Sequence, residues 1–341
     1  MPDGVAPVVA TDHLGRGLRA LRISVTDRCN FRCRYCMPRE RYGPAVRFLP
    51  RKDLLSFEEI ARLARIFAGM GVQKVRLTGG EPLLRQELPK LVGLLSGIPG
   101  LEVALITNGS LLAQQAFSLA TAGLRRVTVS LDSLDDTVFR AMNDVGFPVA
   151  RVLEGIEGAA AAGLRPVKVN AVVRRGVNDH TVLDLARHFK RRGHVLRFIE
   201  YMDVGSSNGW RPGDVVPAEE ILGRIHAEMP LEPVPAASDD EVAARYRYRD
   251  GEGEIGLIAS VTQPFCMSCT RARLSADGRL FTCLFATAGV DLAAALRCGW
   301  DDHAIRALVE RTWSTRSDRY SELRLPRKHP ARSVEMSYIG G

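Results

Sequence analysis

The chain has 341 residues, 46% of them hydrophobic and 25% charged, and carries a net charge of +8 with a pI near 9.3. That length suits one barrel of about 250 residues with an appendage, or two domains, while the absence of an apolar run of roughly 18 residues argues against a membrane span. The basic balance favours an anionic partner, either nucleic acid or a phosphorylated small molecule. Asp3, Asp12 and His13 stand where a secretory signal would place its apolar core, so a cytoplasmic protein is expected, in which clustered thiols hold metal more often than they form disulfides.

Residues 1–17, with Gly4, Pro7, Gly15 and Gly17 and no apolar period, read as a mobile N-terminal arm. From there strand-like and helix-like stretches alternate. Strands are expected at 21–27, 74–80, 102–108, 126–132, 166–173 and 194–202. Helices are expected at 56–69, where Ser56 and Glu59 form a capping box, and at 86–96, 113–122, 149–162 and 180–192. Six strands joined by helical crossovers predict an α/β fold, a parallel sheet curled into a partial (β/α)6 barrel over residues 18–230. Residues 203–216 then read as a loop over the open side, 217–229 as a helix, 230–241 as an acidic, solvated linker and 245–259 as a hairpin. Residues 231–341 form a C-terminal extension.

Along a strand, residues i and i+2 share a face. Lys74, Arg76 and Thr78 oppose Val75 and Leu77, and Arg22, Ser24 and Thr26 oppose Leu21, Ile23 and Val25. Thr128, Ser130 and Asp132 oppose Val127, Val129 and Leu131, and Lys168 and Asn170 oppose Val167 and Val169. The helices take the apolar face, so the expected lumen is polar and cationic. An unpaired buried charge costs several kcal/mol, so Arg22, Arg76 and Lys168 need anions there. Those are either Asp132, Glu200 and Glu81 in an ion-pair network or a bound ligand with roughly a nucleotide's charge.

The chain is organised around Cys29, Cys33 and Cys36, a C-x3-C-x2-C run at the end of the first strand. Tetrahedral zinc and a cubane iron-sulfur cluster each take four ligands, so three cysteines leave one position open, or a distant fourth ligand completes a zinc knuckle. Gly79, Gly80, Glu81 and Pro82 close the second strand, where glycines let a backbone approach a ligand closely. A second trio, Cys266, Cys269 and Cys283, again lacks a fourth member, and Cys298 reads as a packing cysteine. Arg271 and Arg273 between these ligands put two guanidiniums on one side of an extended segment, suited to phosphate or to a base edge. The terminal Gly340 and Gly341 are slim enough to enter a crowded pocket.

The first trio, with Tyr35 before its last cysteine, and the Gly79 to Pro82 stretch resemble the radical S-adenosylmethionine superfamily. With Cys266 to Arg273, Cys283 and the diglycine end, nearly the whole chain from Leu18 onward is similar to the GTP 3',8-cyclase family of molybdenum cofactor biosynthesis. The resemblance implies that Cys29, Cys33 and Cys36 hold a 4Fe-4S cluster chelating S-adenosylmethionine, with Tyr35, Gly80, Ser130 and Met202 contacting that cofactor. It implies a second 4Fe-4S cluster on Cys266, Cys269 and Cys283 facing guanine, and a GTP site of Arg22, Arg76, Thr107, Lys168, Arg271 and Arg273, with Lys74 as a further phosphate contact. Arg271, Arg273, Gly340 and Gly341 would take part in catalysis, in which a 5'-deoxyadenosyl radical removes hydrogen from ribose and the sugar radical adds to guanine. An electron donor and a downstream cyclic pyranopterin monophosphate synthase that receives the product are the implied partners, and the chain would be a monomer or homodimer. A radical enzyme modifying peptides is the other enzymatic reading. A basic nucleic-acid module is disfavoured by aromatic residues at only 6%.

Overall fold

The computed structural model describes residues 9–236, 241–324 and 334–340. In chain order the elements are β1 (Ala20–Ser24), α1 (Phe57–Gly69), β2 (Lys74–Thr78), α2 (Leu88–Ser96), β3 (Glu102–Thr107), α3 (Leu112–Thr121), β4 (Arg126–Ser130), α4 (Asp136–Asn143), α5 (Val149–Ala161), β5 (Lys168–Val173), α6 (Val182–Phe189) and β6 (Val195–Glu200). There follow α7 (Ala218–Glu228), β7 (Leu231–Val234), β8 (Ala244–Tyr248), β9 (Glu254–Ile258), β10 (Arg271–Leu274), β11 (Arg279–Phe281), β12 (Val290–Asp291), α8 (Leu292–Arg297), α9 (Asp302–Ser314) and α10 (Met336–Ile339). Among the described residues no helix is long and apolar enough to cross a membrane.

The six expected strands form one parallel arc in sequence order, β1 to β6, as helical crossovers require. The C-terminal extension lengthens the same sheet at both ends. The hairpin of β8 and β9 joins β6 through β9, in parallel, and β10 joins β1, also in parallel, with Arg271 opposite Ala20 and Arg273 opposite Arg22. The helix-side residues Leu21, Ile23, Val75, Leu77, Val103, Leu105, Val127, Val129, Val167 and Val169 are almost fully buried. They form the core with the apolar faces of α1 to α6, such as Ile60, Leu63 and Phe67 on α1 and Val152 and Ile156 on α5. The Ser56 hydroxyl accepts from the Glu59 amide and the Glu59 carboxylate from the Ser56 amide, so the capping box starts α1 as expected.

Four readings change. Residues 9–17 of the supposed arm are seated: the Asp12 carboxylate accepts from the amides of Leu14 and Arg16, Gly15 turns the chain at φ +74°, and Asp12 and Arg16 are buried. Residues 1–8 lie outside the described part. Within the supposed linker, Leu231–Val234 is a strand paired with β8, because Leu231 finds a buried place that its acidic surroundings do not announce; residues 237–240 lie outside the described part. Helices α4 and α9 escape the sequence reading, although Asp135 and Asp301 cap them by accepting from backbone amides. Cys298 is exposed at the end of α8 rather than packed in the core.

Candidate active site between two cysteine trios

At the C-terminal ends of β1 to β6, where parallel α/β folds build their sites, one cavity is lined by Cys29, Cys33, Cys36, Cys266, Cys269 and Cys283 together. All six are free thiols in this structure. The loop that carries the first trio is held against the end of β2. The amide of Gly80 donates to the Thr26 carbonyl at 2.9 Å and that of Glu81 to the Arg28 carbonyl at 2.7 Å. A Cβ on Gly79 would meet the Thr26 oxygen at 2.3 Å and one on Gly80 the Arg28 oxygen at 2.2 Å, so these glycines are demanded by backbone packing as well as by nearness to the cavity.

Two buried carboxylates organise the surroundings of this trio. Glu81 accepts from the amides of Leu83 and Asn108 and from the Thr107 hydroxyl at 2.7 Å; burial raises its carboxyl to about 7. Asp132 accepts from the Val172 amide and from the Tyr35 hydroxyl at 2.8 Å, which fixes the Tyr35 ring, and burial raises it to about 6. Burial, then Glu81, pushes the Cys29 thiol up to about 12. Burial and Asp132 push Cys33 up, and burial with Cys29 and Glu335 pushes up Cys36. The Phe31 amide and the Asn108 side chain point toward the Cys29 sulfur at 3.4 and 3.8 Å.

The second trio sits among cations. Burial works against the Cys269 thiolate, yet Arg271 and Arg316 outweigh it and draw the thiol down to about 6. Cys283 is pushed up to about 11 by burial and by Asp318. The Arg271 guanidinium lies 3.6 Å from the Cys269 sulfur and over the Phe265 ring, and the Phe285 amide lies 3.5 Å from the Cys283 sulfur.

Between the trios the wall is cationic, as the strand alternation predicts. Arg273, Arg22 and Arg76 stand level on β10, β1 and β2, and Arg271 and Arg197 line the same space. Burial and the neighbouring Arg273, Arg76 and Arg271 lower Arg22 well below the ordinary range; burial and Arg271 bring Arg273 down to about 9, and burial and Arg76 bring Arg197 to about 10. The Nε atoms of Arg22 and Arg197 and the Oδ1 of Asn170 are buried without a hydrogen-bond partner among the described residues. Unmet donors in a low-dielectric space call for acceptors, and beside this many cations an anion suits them best.

The expected balancing by Glu200 does not occur. Glu200 faces the helix side, where it accepts from the amides of Ala218, Val261 and Thr262. Gly80, Thr107, Ser130 and Met202 line the cavity. Lys168, at the start of β5, is not among the lining residues; it lies near Arg197 and Arg76, and burial followed by neighbouring cations lowers it to about 8. Lys74 is likewise outside the lining; its Nζ is 3.9 Å from the Glu102 carboxylate. Arg197, unnoticed in the sequence, is visible there only as the residue two before Ile199 on the lumen face of β6. The tail is anchored by Glu335, which accepts from the Ser206 amide and from the Ser206 and Ser207 hydroxyls and pairs with Arg41. It ends in buried Gly340 (φ +75°), whose carbonyl accepts from Arg273. A Cβ on Gly340 would meet the Thr78 methyl at 2.2 Å. Gly341 lies outside the described residues.

Both trios fit iron-sulfur clusters by the chemistry of their donors: three sulfurs each, with N–H groups directed at them, on a shared cavity. Among the described residues, no three His, Cys, Asp or Glu side chains are gathered as around a single metal ion.

Two family models match: "Radical SAM superfamily" over residues 23–189 and "Molybdenum Cofactor Synthesis C" over 194–322. The chain is 56% identical to the GTP 3',8-cyclase of Acidothermus cellulolyticus over 97% of this chain and 98% of that one. It is 50% identical to that of Xanthomonas campestris over the full length of both, and 46% identical to that of Staphylococcus epidermidis over 98% and 99%. Streptococcus suis SuiB bound to S-adenosylmethionine, at 14% identity, shares the fold with a TM-score of 0.60 over 88% of this chain and 68% of that one.

Proposed function

The chain belongs to the GTP 3',8-cyclase family of the radical S-adenosylmethionine superfamily, and from that premise we propose that it converts GTP to 3',8-cyclo-7,8-dihydro-GTP, the first step of molybdenum cofactor biosynthesis. The observation that carries this reading is the single cavity lined by both cysteine trios and by Arg22, Arg76, Arg197, Arg271 and Arg273. A peptide-modifying enzyme is not favoured, since near-full-length relatives at 46% identity and above are GTP cyclases. A cytosolic enzyme fits the reading, because reduced thiols are kept available there.

Cys29, Cys33 and Cys36 would hold one 4Fe-4S cluster and Cys266, Cys269 and Cys283 another. With S-adenosylmethionine bound, the first supplies an electron and the means to remove a hydrogen atom from an unactivated C–H bond. The rest is placement by the chain. Tyr35, locked by Asp132, with Gly80, Ser130 and Met202 receives the cofactor, and the lining arginines take the triphosphate and the base edge, with Lys168 adding charge from behind Arg76 and Arg197. The Thr107 hydroxyl spends its proton on Glu81, so it can serve GTP as an acceptor or by contact. Ile106, Val172, Ile199 and Ile258 line the cavity between the polar groups and keep water from the reacting carbons. Arg273, in contact with both the cavity and Gly340, links substrate charge to the tail. Glu81 and Asp132 are both engaged in hydrogen bonds, and neither is given a general-base role. An electron donor and a downstream enzyme that takes over the product complete the reading.

Anaerobic incubation with dithionite, S-adenosylmethionine and GTP tests it by product analysis. Methionine, 5'-deoxyadenosine and the cyclic nucleotide are expected with GTP and not with ATP; equal turnover of ATP overturns guanine recognition. After reconstitution, about eight irons per chain are expected, four for each cubane, and full occupancy by zinc overturns the cluster assignment.

A further inference from the structure

The supposed arm reaches the second trio. Asp12, Arg16 and Arg316 are packed together with their side chains at most 2% exposed. The Asp12 carboxylate accepts from Arg16 Nε at 2.6 Å and from Arg316 Nη1 at 3.2 Å. Arg16 Nη1 donates to the Cys266 carbonyl at 2.7 Å and to that of Asp318 at 2.8 Å. Arg316 Nη1 donates to the Cys269 carbonyl at 2.7 Å. The Asp318 carboxylate, 3.5 Å from Arg316 Nε, accepts from the Thr282 hydroxyl at 2.6 Å, one residue before Cys283. Each of the three cysteines is thus tied to the same buried group through its own backbone or its neighbour's side chain. Trp313 closes the assembly, its indole N–H donating to the Arg16 carbonyl at 3.0 Å and its ring lying against the Arg316 guanidinium.

We propose that Asp12, Arg16 and Arg316 are positioning residues for the second trio: a brace that holds Cys266, Cys269 and Cys283 in register for a cluster. The inference rests on the two-cluster reading above. Two buried guanidiniums share the Asp12 carboxylate, the part-exposed Asp318 brings the group to two positive and two negative charges, and Arg16 Nη2 has no hydrogen-bond partner among the described residues. The brace also explains why nine residues ahead of β1 are folded at all. The loop from Asp12 to Arg16 is built by Asp12 accepting from two amides and by the turn at Gly15, so its own carboxylate shapes the loop before binding Arg316.

The test compares the full-length chain with Asp12→Asn, which keeps shape and removes charge, and with Arg16→Met and Arg16→Lys, all reconstituted anaerobically. Iron is counted, and the reduced spectra and potentials of the two clusters are read by EPR. The unaltered chain should hold about eight irons. Asp12→Asn and Arg16→Met should lose up to half of them, the second cluster alone, and whatever second cluster remains should show an altered EPR signal and a shifted potential. The first cluster's signal and its response to S-adenosylmethionine should be unchanged, and Arg16→Lys, which retains charge and one donor, should recover part of the iron. Unchanged iron and an unchanged second-cluster potential would overturn the brace, and so would equal loss from both trios, which marks general unfolding. If the unaltered chain holds only about four irons, it is the two-cluster reading that has failed.

Discussion

The two cysteine trios face one cavity with opposite electrostatic surroundings. The first has Glu81, Asp132 and Glu335 around it, and burial together with those carboxylates raises its three thiols. The second has Arg271 and Arg316 beside Cys269, and that thiol is lowered to about 6 in spite of its burial. Negative surroundings disfavour adding an electron to a cluster and make the electron easier to give away; positive ones do the reverse and attract anions. Under the proposed function, that difference suits one wall to electron donation and the other to holding an anion, from the same three-sulfur donor set.

Five substitutions test that division. The largest effect is expected for Cys36→Ser, which should remove about four irons and lower the formation of both 5'-deoxyadenosine and product on the order of a thousandfold, as loss of a ligand at the radical source requires. Cys269→Ser should remove the same amount of iron yet leave the first cluster's EPR signal in place; loss of both signals would erase the distinction between the walls. Arg273→Ala removes a buried, hydrogen-bonded cation. It should lower kcat/KM by about a hundredfold, within the roughly 2–5 kcal/mol expected for truncating one partner of such a pair, without loss of iron. Gly340→Ala, whose new methyl collides with the Thr78 methyl, should cost about tenfold in product formation with iron unchanged, at the lower end of buried steric strain; adding Thr78→Ser, which removes that methyl, should recover part. At the small end, Cys298→Ser should stay within about twofold, as an exposed residue outside either wall should.

The pH dependence of the cationic wall follows from Lys168. Its folded value is lowered to about 8 from 10.5, so between those values the folded chain binds fewer protons than the unfolded one. The cost of burying this charged group is therefore in full force below about pH 8 and is relieved as pH rises through that window, so stability rises with pH there. In the ligand-free folded site its charge is lost around pH 8, so GTP affinity should fall by up to about tenfold between pH 7 and 9. Calorimetry in buffers of different ionisation heat should show proton uptake on binding, and Lys168→Met should abolish both effects.

Alternation made most of the wall legible. Arg22, Arg76 and Asn170 were placed by a period of two, since the helices claim one face of every strand, and the cysteine spacings announced both trios. What escaped depends on partners far away in the chain. Arg197 sits among Val195, Phe198 and Ile199 and looks like an interruption of a core strand until Thr128 and the cavity are seen beside it. Glu200 appears a natural counter-charge in the sequence, but one register step sends it to the helix face. Asp12 and Arg16 carry no local pattern beyond a turn, because their meaning comes from Arg316, 304 positions from Asp12. Cys298 sits at the end of the short α8, where an apolar neighbourhood failed to predict which way one residue faces.

The parallel seat of β10 beside β1 also bears on how the molecule is made. A ribosome delivers β1 first and β10 only after eight other strands, so the growing chain holds an uncovered sheet border, with the first three thiols at its tip, until Arg271–Leu274 has been made. Any premature stop before residue 266 would strip off that border strand, both of its guanidiniums and the second set of sulfurs at once. Quality control by a cell therefore has one late event to inspect, and metal loading of the second set has to wait for it.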